Sequence, residues 1–390
     1  MPAGSQPAKR QRKSRFGCKN CKLRKLKCDE TKPQCLRCRQ YGVVCNFGLT
    51  NVSDLQPLSE QRSKPQAAKQ YKLPVARSIS NGVWIADGTE RFELDLQDQA
   101  LFTRFRHRTL VALNPDMVGL YESHLYRVSL SCRFMMHGML AVAAVHDRYV
   151  DTAPTKHRTL KESYHWSQCT SLFNKWLSQP LQEDHKDPIW ATAGMLGILA
   201  FASMNASSYG DAWPLKPPDS SDLEWTRLGN AKMTLWHIVN PLRPDSIFRI
   251  MSDTFRKMRE PLPGKGRENI PDDLAELCGI TDSSTKETNP YFEVAHGVSW
   301  LQKKDNITLG TAMMVMGHMH NEFEVALRDR DPVAMLLLCL WYTKARHTVW
   351  WINFRARYEL PAICTYLRLH HQHDAELQAL IPWDEARILM

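Results

Sequence analysis

The chain has 390 residues, 43% of them hydrophobic and 24% charged. That balance excludes a disordered or fibrous polymer and leaves length for a large buried core. Apolar runs such as Ala193–Met204 are too short to cross a bilayer. The formal net charge is +10, and it is unevenly placed: residues 1–46 carry 13 Lys/Arg against two acidic residues, Asp29 and Glu30, while the remainder balances to −1. A basic excess confined to the first tenth of a chain points to a nucleic-acid footprint.

In chain order, residues 1–17 form a basic arm containing Lys9-Arg10-Gln11-Arg12-Lys13-Ser14-Arg15. It reads as a nuclear-import signal or as a segment lying along a DNA backbone, and the two readings are compatible. Met1–Arg15 lacks the apolar run of a secretory signal. Six cysteines follow in two copies of one pattern, Cys18-x2-Cys21-x6-Cys28 and Cys35-x2-Cys38-x6-Cys45, offset by 17 residues throughout. Thiolates at this spacing in a chain without an export signal read as zinc ligands. The five other cysteines, Cys132, Cys169, Cys278, Cys339 and Cys364, are scattered singly, which fits buried thiols in a reducing compartment better than a disulfide framework. Two tetrahedral zinc sites need eight ligand positions, which six sulfurs supply when two of them bridge. Six thiolates and two Zn²⁺ leave the cluster at −2.

The two copies differ in charge. Lys22, Arg24, Lys25 and Lys27 lie between Cys21 and Cys28, whereas only Arg39 is basic between Cys38 and Cys45. A C-x2-C pair places both thiolates on the first turn of a short helix. The following residues are expected to continue that helix, with Leu23 and Leu26 packed inward and the basic neighbours outward. The first helix is therefore expected to face DNA.

Residues 18–45 resemble the binuclear zinc cluster of fungal transcription factors, the family typified by the yeast galactose regulator. The resemblance implies a module of two short helices around two Zn²⁺, with Cys18 and Cys35 bridging and Pro33 in the connecting loop. It also implies a double-stranded DNA partner read at GC-rich, CGG-type triplets. Arg24 and Lys25 match the family's base contacts, and Arg15, Lys19, Lys22 and Lys27 are assigned to phosphates. A nuclear, RNA polymerase II regulator follows, with a homodimer as one binding form. Family analogy favours a pathway-specific activator of a secondary-metabolite gene cluster over a regulator of sterol or lipid metabolism.

Residues 46–90 are rich in Ser, Gln and Ala, with Pro57, Pro65 and Pro74, and read as a flexible linker. No heptad is sustained there. Residues 91–390 read as a large all-α regulatory domain. Helical stripes run through Trp166, Cys169, Phe173 and Trp176, through Leu228, Ala231, Leu235 and Ile238, and through Met313, Met316, His320, Phe323 and Leu327. Asp331-Pro332 opens a helix that should be buried over Val333–Tyr342. No alternating pattern of useful length predicts a strand. Phe134–His146, Asp331–Leu338, Trp350-Trp351 and Ile381-Pro382-Trp383 resemble the regulatory domain of the sterol-uptake-regulator subgroup, which implies a helical bundle with a small apolar ligand near its C-terminal helices. An enzyme is excluded: there is no H-E-x-x-H, G-x-S-x-G or P-loop. His318, His320 and Glu322, and His370, His371 and His373, read as ordinary histidines and an acid rather than as metal sites.

Overall fold

The computed structural model describes residues 15–47, 54–55, 83–86, 91–113, 118–151, 158–181, 183–219, 221–319 and 321–389. The basic arm up to residue 14 and most of the linker lie outside them. Two compact units divide the chain, Met1–Ile79 and Ser80–Met390.

The first unit holds two five-residue helices, α1 (Lys19–Leu23) and α2 (Leu36–Gln40). Each starts at a cysteine that caps its own helix. The Cys18 sulfur accepts from the Cys21 N–H at 3.4 Å and the Cys35 sulfur from the Cys38 N–H at 3.3 Å. The helices are shorter than the sequence suggested, because α1 ends at Leu23. Leu23 and Leu26 are consequently about half exposed (51% and 48%) instead of packed inward.

The second unit is mostly helical, with one departure. Two four-residue strands, β1 (Val83–Ala86) and β2 (Arg91–Leu94), pair antiparallel with Val83 opposite Leu94. β1 is a continuous apolar run with no alternation, which hid it. From β2, Leu94 enters the core and the Phe92 ring lies 4.5 Å from that of His137. The helix α3 (Leu96–Arg104) follows directly, opened by a capping box between Asp95 and Asp98.

The centre of this unit is the helix Arg133–Val150, buried on almost every side, against which the helices Leu160–Leu177 and Lys186–Phe201 pack. The helix Pro332–Ala345 has Asp331 as its N-cap and Pro332 in its first turn, and its Ala334–Cys339 run is fully buried. The Trp166–Trp176 stripe lies on one helix. Two other stripes do not hold as read. On the helix Glu224–Val239 the side chains of Leu228 and Ala231 lie outside the described ones, Leu235 packs against the core, and Ile238 is exposed while Trp236 and Val239 are buried. The Met313–Leu327 stripe spans two helices, Leu309–Met316 and Glu322–Arg328, interrupted after Gly317; His320 lies outside the described residues. His318 is therefore not on a shared helix with Glu322, and its Nδ1 sits 3.3 Å from Glu293.

Two buried arginines close the C-terminal end of Lys186–Phe201. Arg148 donates to the carbonyls of Met204 (2.8 Å) and Ala202 (3.3 Å) and holds Glu162 through two N–H groups at 3.0 and 3.2 Å. Arg355 donates to Phe201 O (2.6 Å) and Ala200 O (3.4 Å) and pairs with Glu359, which also accepts from the Tyr342 hydroxyl at 2.6 Å. Cations at a helix C-terminus complement both its orphan carbonyls and its dipole. Breaking one side of a buried charge pair typically costs about 3–5 kcal/mol. Arg355→Met is expected to destabilise this unit by roughly 3 kcal/mol, measured by urea unfolding of the full chain; a change under about 1 kcal/mol would remove Arg355 from that role.

Candidate metal centre and nucleic-acid interface

The six cysteines of the first unit are all buried. Their sulfurs form two groups of four, Cys18, Cys21, Cys28, Cys35 and Cys18, Cys35, Cys38, Cys45, each with all ligand atoms within 4.8 Å of one another. Cys18 and Cys35 belong to both. Sulfurs about 2.3 Å from one tetrahedral metal lie about 3.8 Å apart. The separations here are 3.7 Å for Cys18–Cys35, 3.5 Å for Cys18–Cys38, 3.7 Å for Cys21–Cys35 and 3.9 Å for Cys18–Cys28. The donor set thus fits two zinc ions bridged by Cys18 and Cys35.

Burial first, and the neighbouring sulfurs of Cys18 and Cys35 next, push the thiols of Cys21 and Cys38 far above the ordinary range. Burial likewise pushes Cys45 up to about 11. Cys21, Cys38 and Cys45 thus resist ionising without a cation beside them, and two divalent cations would supply the compensating +4. Zinc uptake therefore releases protons, and affinity falls as pH falls.

The 17-residue offset persists in the backbone beyond the ligands. Each helix ends in the same two-bond turn. Lys25 N–H bonds Lys22 O and Leu26 N–H bonds Cys21 O; Gly42 N–H bonds Arg39 O and Val43 N–H bonds Cys38 O. These are Schellman motifs, whose closing residue is left-handed. That residue is Gly42 (φ 75°) in the second copy and Lys25 (φ 56°) in the first. A non-glycine residue there costs about 1–2 kcal/mol. Lys25 is exposed at this strained turn, with no hydrogen-bond or ion-pair partner for its ammonium group among the described residues.

Arg24, expected beside Lys25 as a base contact, is turned the other way. Its guanidinium donates to Arg37 O (3.2 Å) and Asn20 O (3.4 Å) and lies 4.1 Å over the ring of Tyr41, its own mate under the 17-residue offset. One of its nitrogens also approaches the Cys21 and Cys38 sulfurs at 3.9 and 3.8 Å, one sulfur from each metal group. Arg24 thereby clasps the two halves and places positive charge against the anionic cluster. Lys19 is engaged too, by Asp54 at 3.0 Å. Arg15, Lys22 and Lys27 are exposed.

Sequence reasoning missed Asn20. Its buried amide donates to Val44 O and accepts from Leu55 N–H, while its backbone N–H is taken by Asn46, whose amide reaches Asp54. No spacing signals this network. The Lys25–Gly42 correspondence, by contrast, stands in the sequence at the cysteine offset.

Comparison with known proteins agrees with this geometry. Residues 16–50 match the fungal Zn(2)-Cys(6) binuclear cluster domain. Residues 16–50 are thus a fungal binuclear zinc cluster domain, and the chain is similar to fungal zinc cluster transcription factors along most of its length. It is a transcription regulator, not an enzyme, and its cluster domain binds two zinc ions. A Zn(2)-C6 fungal-type transcription factor of Gibberella zeae is 23% identical over 92% of this chain and 82% of its own length. The aspercryptin biosynthesis cluster-specific transcription regulator of Emericella nidulans is 42% identical over 17% of this chain and 10% of its own. The trypacidin cluster transcription factor of Aspergillus fumigatus is 34% identical over 21% and 22% respectively. Among the described residues no helix is long and apolar enough to cross a membrane, and His370, His371 and His373 join no metal-binding group.

Two predictions follow from the shared sulfurs and the strained turn. Cys18→Ser removes a ligand from both metals and is expected to reduce bound zinc, counted by native mass spectrometry, from two toward none. Cys28→Ser touches one group and leaves about one zinc. Retention of two zinc ions by Cys18→Ser would refute bridging. Lys25→Gly is expected to keep both zinc ions and gain about 1 kcal/mol in thermal unfolding of the module, while Gly42→Lys loses a similar amount.

Proposed function

We propose that the protein is a nuclear, pathway-specific activator of a fungal secondary-metabolite gene cluster, acting with RNA polymerase II and reading CGG-type triplets. The observation that carries the DNA reading is Lys25. It occupies a left-handed position that the matching turn gives to glycine, and strain retained at an exposed cation is best accounted for by a contact made outside the chain. A lysine ammonium presented to G O6/N7 is a common specific major-groove contact. Arg24 supports it from beneath by joining the two halves. Arg15, Lys22 and Lys27 are free to meet phosphates, and Lys19 does so on release from Asp54. The cluster-specific names of two relatives support the pathway assignment.

Selection from a random duplex pool by the zinc-loaded full-length chain tests the reading. Enrichment of CGG-like triplets is expected, lost in Lys25→Ala; paired triplets would mark two copies of the chain on one site and a single triplet one copy. Binding should fall with salt at a log–log slope near −0.9 per phosphate contacted, and Lys22→Ala should reduce the slope by about one such step. Lack of enrichment by the wild type, or enrichment unaltered in Lys25→Ala, would overturn the assignment. Transcript levels after deletion of the gene test the pathway: loss of one biosynthetic cluster supports it, and unchanged clusters reject it.

A further inference from the structure

Within the second unit a pocket of about 450 Å³ opens between the helices Lys186–Phe201 and Glu224–Val239 and the Met313–His318 segment. This lies within the usual range of small-molecule sites. Its inner wall is aromatic. Trp190, Trp236 and Phe255 meet edge to face in a closed triangle, with ring centroids 5.4, 5.9 and 5.0 Å apart. Met313, Met314 and Met316 line it as well, and such side chains adjust to an irregular or planar guest. Trp190, Phe255, Met258, Met313 and Met316 also line an adjoining apolar space of about 180 Å³, which extends the depth available.

The mouth carries charge of both signs, and its groups differ in engagement. Glu293 faces His318 at 3.3 Å. Glu287 is held below the usual carboxylate range by the Thr285 hydroxyl, with Lys286 adding to it. Glu260 is exposed. Arg259 lies 3.6 Å over the face of Trp236, and its guanidinium has no hydrogen-bond or ion-pair partner among the described residues. A guanidinium held over an indole face by cation–π attraction keeps N–H groups to donate, and its planar fork matches a carboxylate through two parallel bonds.

We propose that this pocket binds a planar aromatic acid, its rings against Trp190, Trp236 and the methionines and its anionic group on Arg259. The pocket itself takes no lining residue from the C-terminal helices, and the adjoining space touches them at Trp351. The site makes the helical unit a receptor for an aromatic acidic metabolite, whatever DNA sequence the zinc module reads.

Fluorescence titration of the zinc-loaded full-length chain with two probes tests this. One is 1-anilinonaphthalene-8-sulfonate, an aromatic anion; the other is N-phenyl-1-naphthylamine, with a like ring system and no charge. Both are expected to bind, the anion more tightly. Arg259→Gln, at an exposed position, should weaken the anion about tenfold, the equivalent of about 1.4 kcal/mol, and leave the neutral probe unchanged. Met313→Trp should fill the cavity and abolish both. Equal affinity of wild type and Met313→Trp for both probes would overturn the site. Equal loss of both probes, or of neither, in Arg259→Gln would overturn the acid-binding assignment. Unfolding midpoints of the two variants matching wild type confirm that the losses are local.

Discussion

Six sulfur atoms, gathered in two groups of four that share Cys18 and Cys35 and each lie within 4.8 Å of one another, govern the whole of the first unit. Among the described residues its buried cluster adds to the cysteines only Val43, with Phe47 packed beside it and Val44 buried nearby in sequence, far too little apolar surface to hold a chain by the hydrophobic effect. Metal coordination substitutes for a core, so metal binding and folding are one equilibrium. The cysteines cap their own helices with N–H···S bonds, and Arg24 turns a cation inward. The Asn20 network ties the first helix to the strand of chain after Cys45. Each of these steadies negative charge concentrated in a small volume.

The near-dyad of the module is informative where it breaks. Mates at the helix ends, Arg24 and Tyr41, touch each other, whereas Lys25 and Gly42 are both exposed. The same backbone turn is built twice, once with the residue that suits it and once with a residue that does not. One face of a symmetric scaffold becomes chemically distinct with hardly any change in backbone path, and DNA-facing and structural roles are divided between two otherwise equivalent helices.

How much of this was legible depended on the kind of signal. Cysteine spacing is a covalent-scale constraint and survives folding intact, as does the Asp331-Pro332 start, where side-chain capping and fixed φ act locally. Stripes of apolar residues report only which positions are buried. The Met313–Leu327 stripe meets the core at Met313, Met316, Phe323 and Leu327, yet the chain breaks between two helices, because burial on both sides of a turn mimics one continuous face. At Ile238 the stripe fails because its neighbours Trp236 and Val239 take the buried side. Leu23 and Leu26 were misjudged because the helix stops where the Schellman turn begins. Arg24 could not be told from Lys25 by charge; what separates them is the direction imposed by helix end and turn.

The arginine closures at the end of Lys186–Phe201 bear on how the larger unit assembles. One comes from residue 148 and the other from residue 355, so the carbonyls of a single helix terminus wait on partners about 54 residues before and about 154 residues after them. Ser203, three residues on, also bonds Ala200 O, but the side-chain bonds to Phe201 O, Ala202 O and Met204 O come from these distant arginines. Loop closures of that span are slow and must be completed before the helix end is fully solvent-independent. The helix Trp350–His370 is consequently needed for an element near the middle of the chain to complete its end, and a polypeptide still emerging from the ribosome, or one cut short before Arg355, would keep that terminus wet.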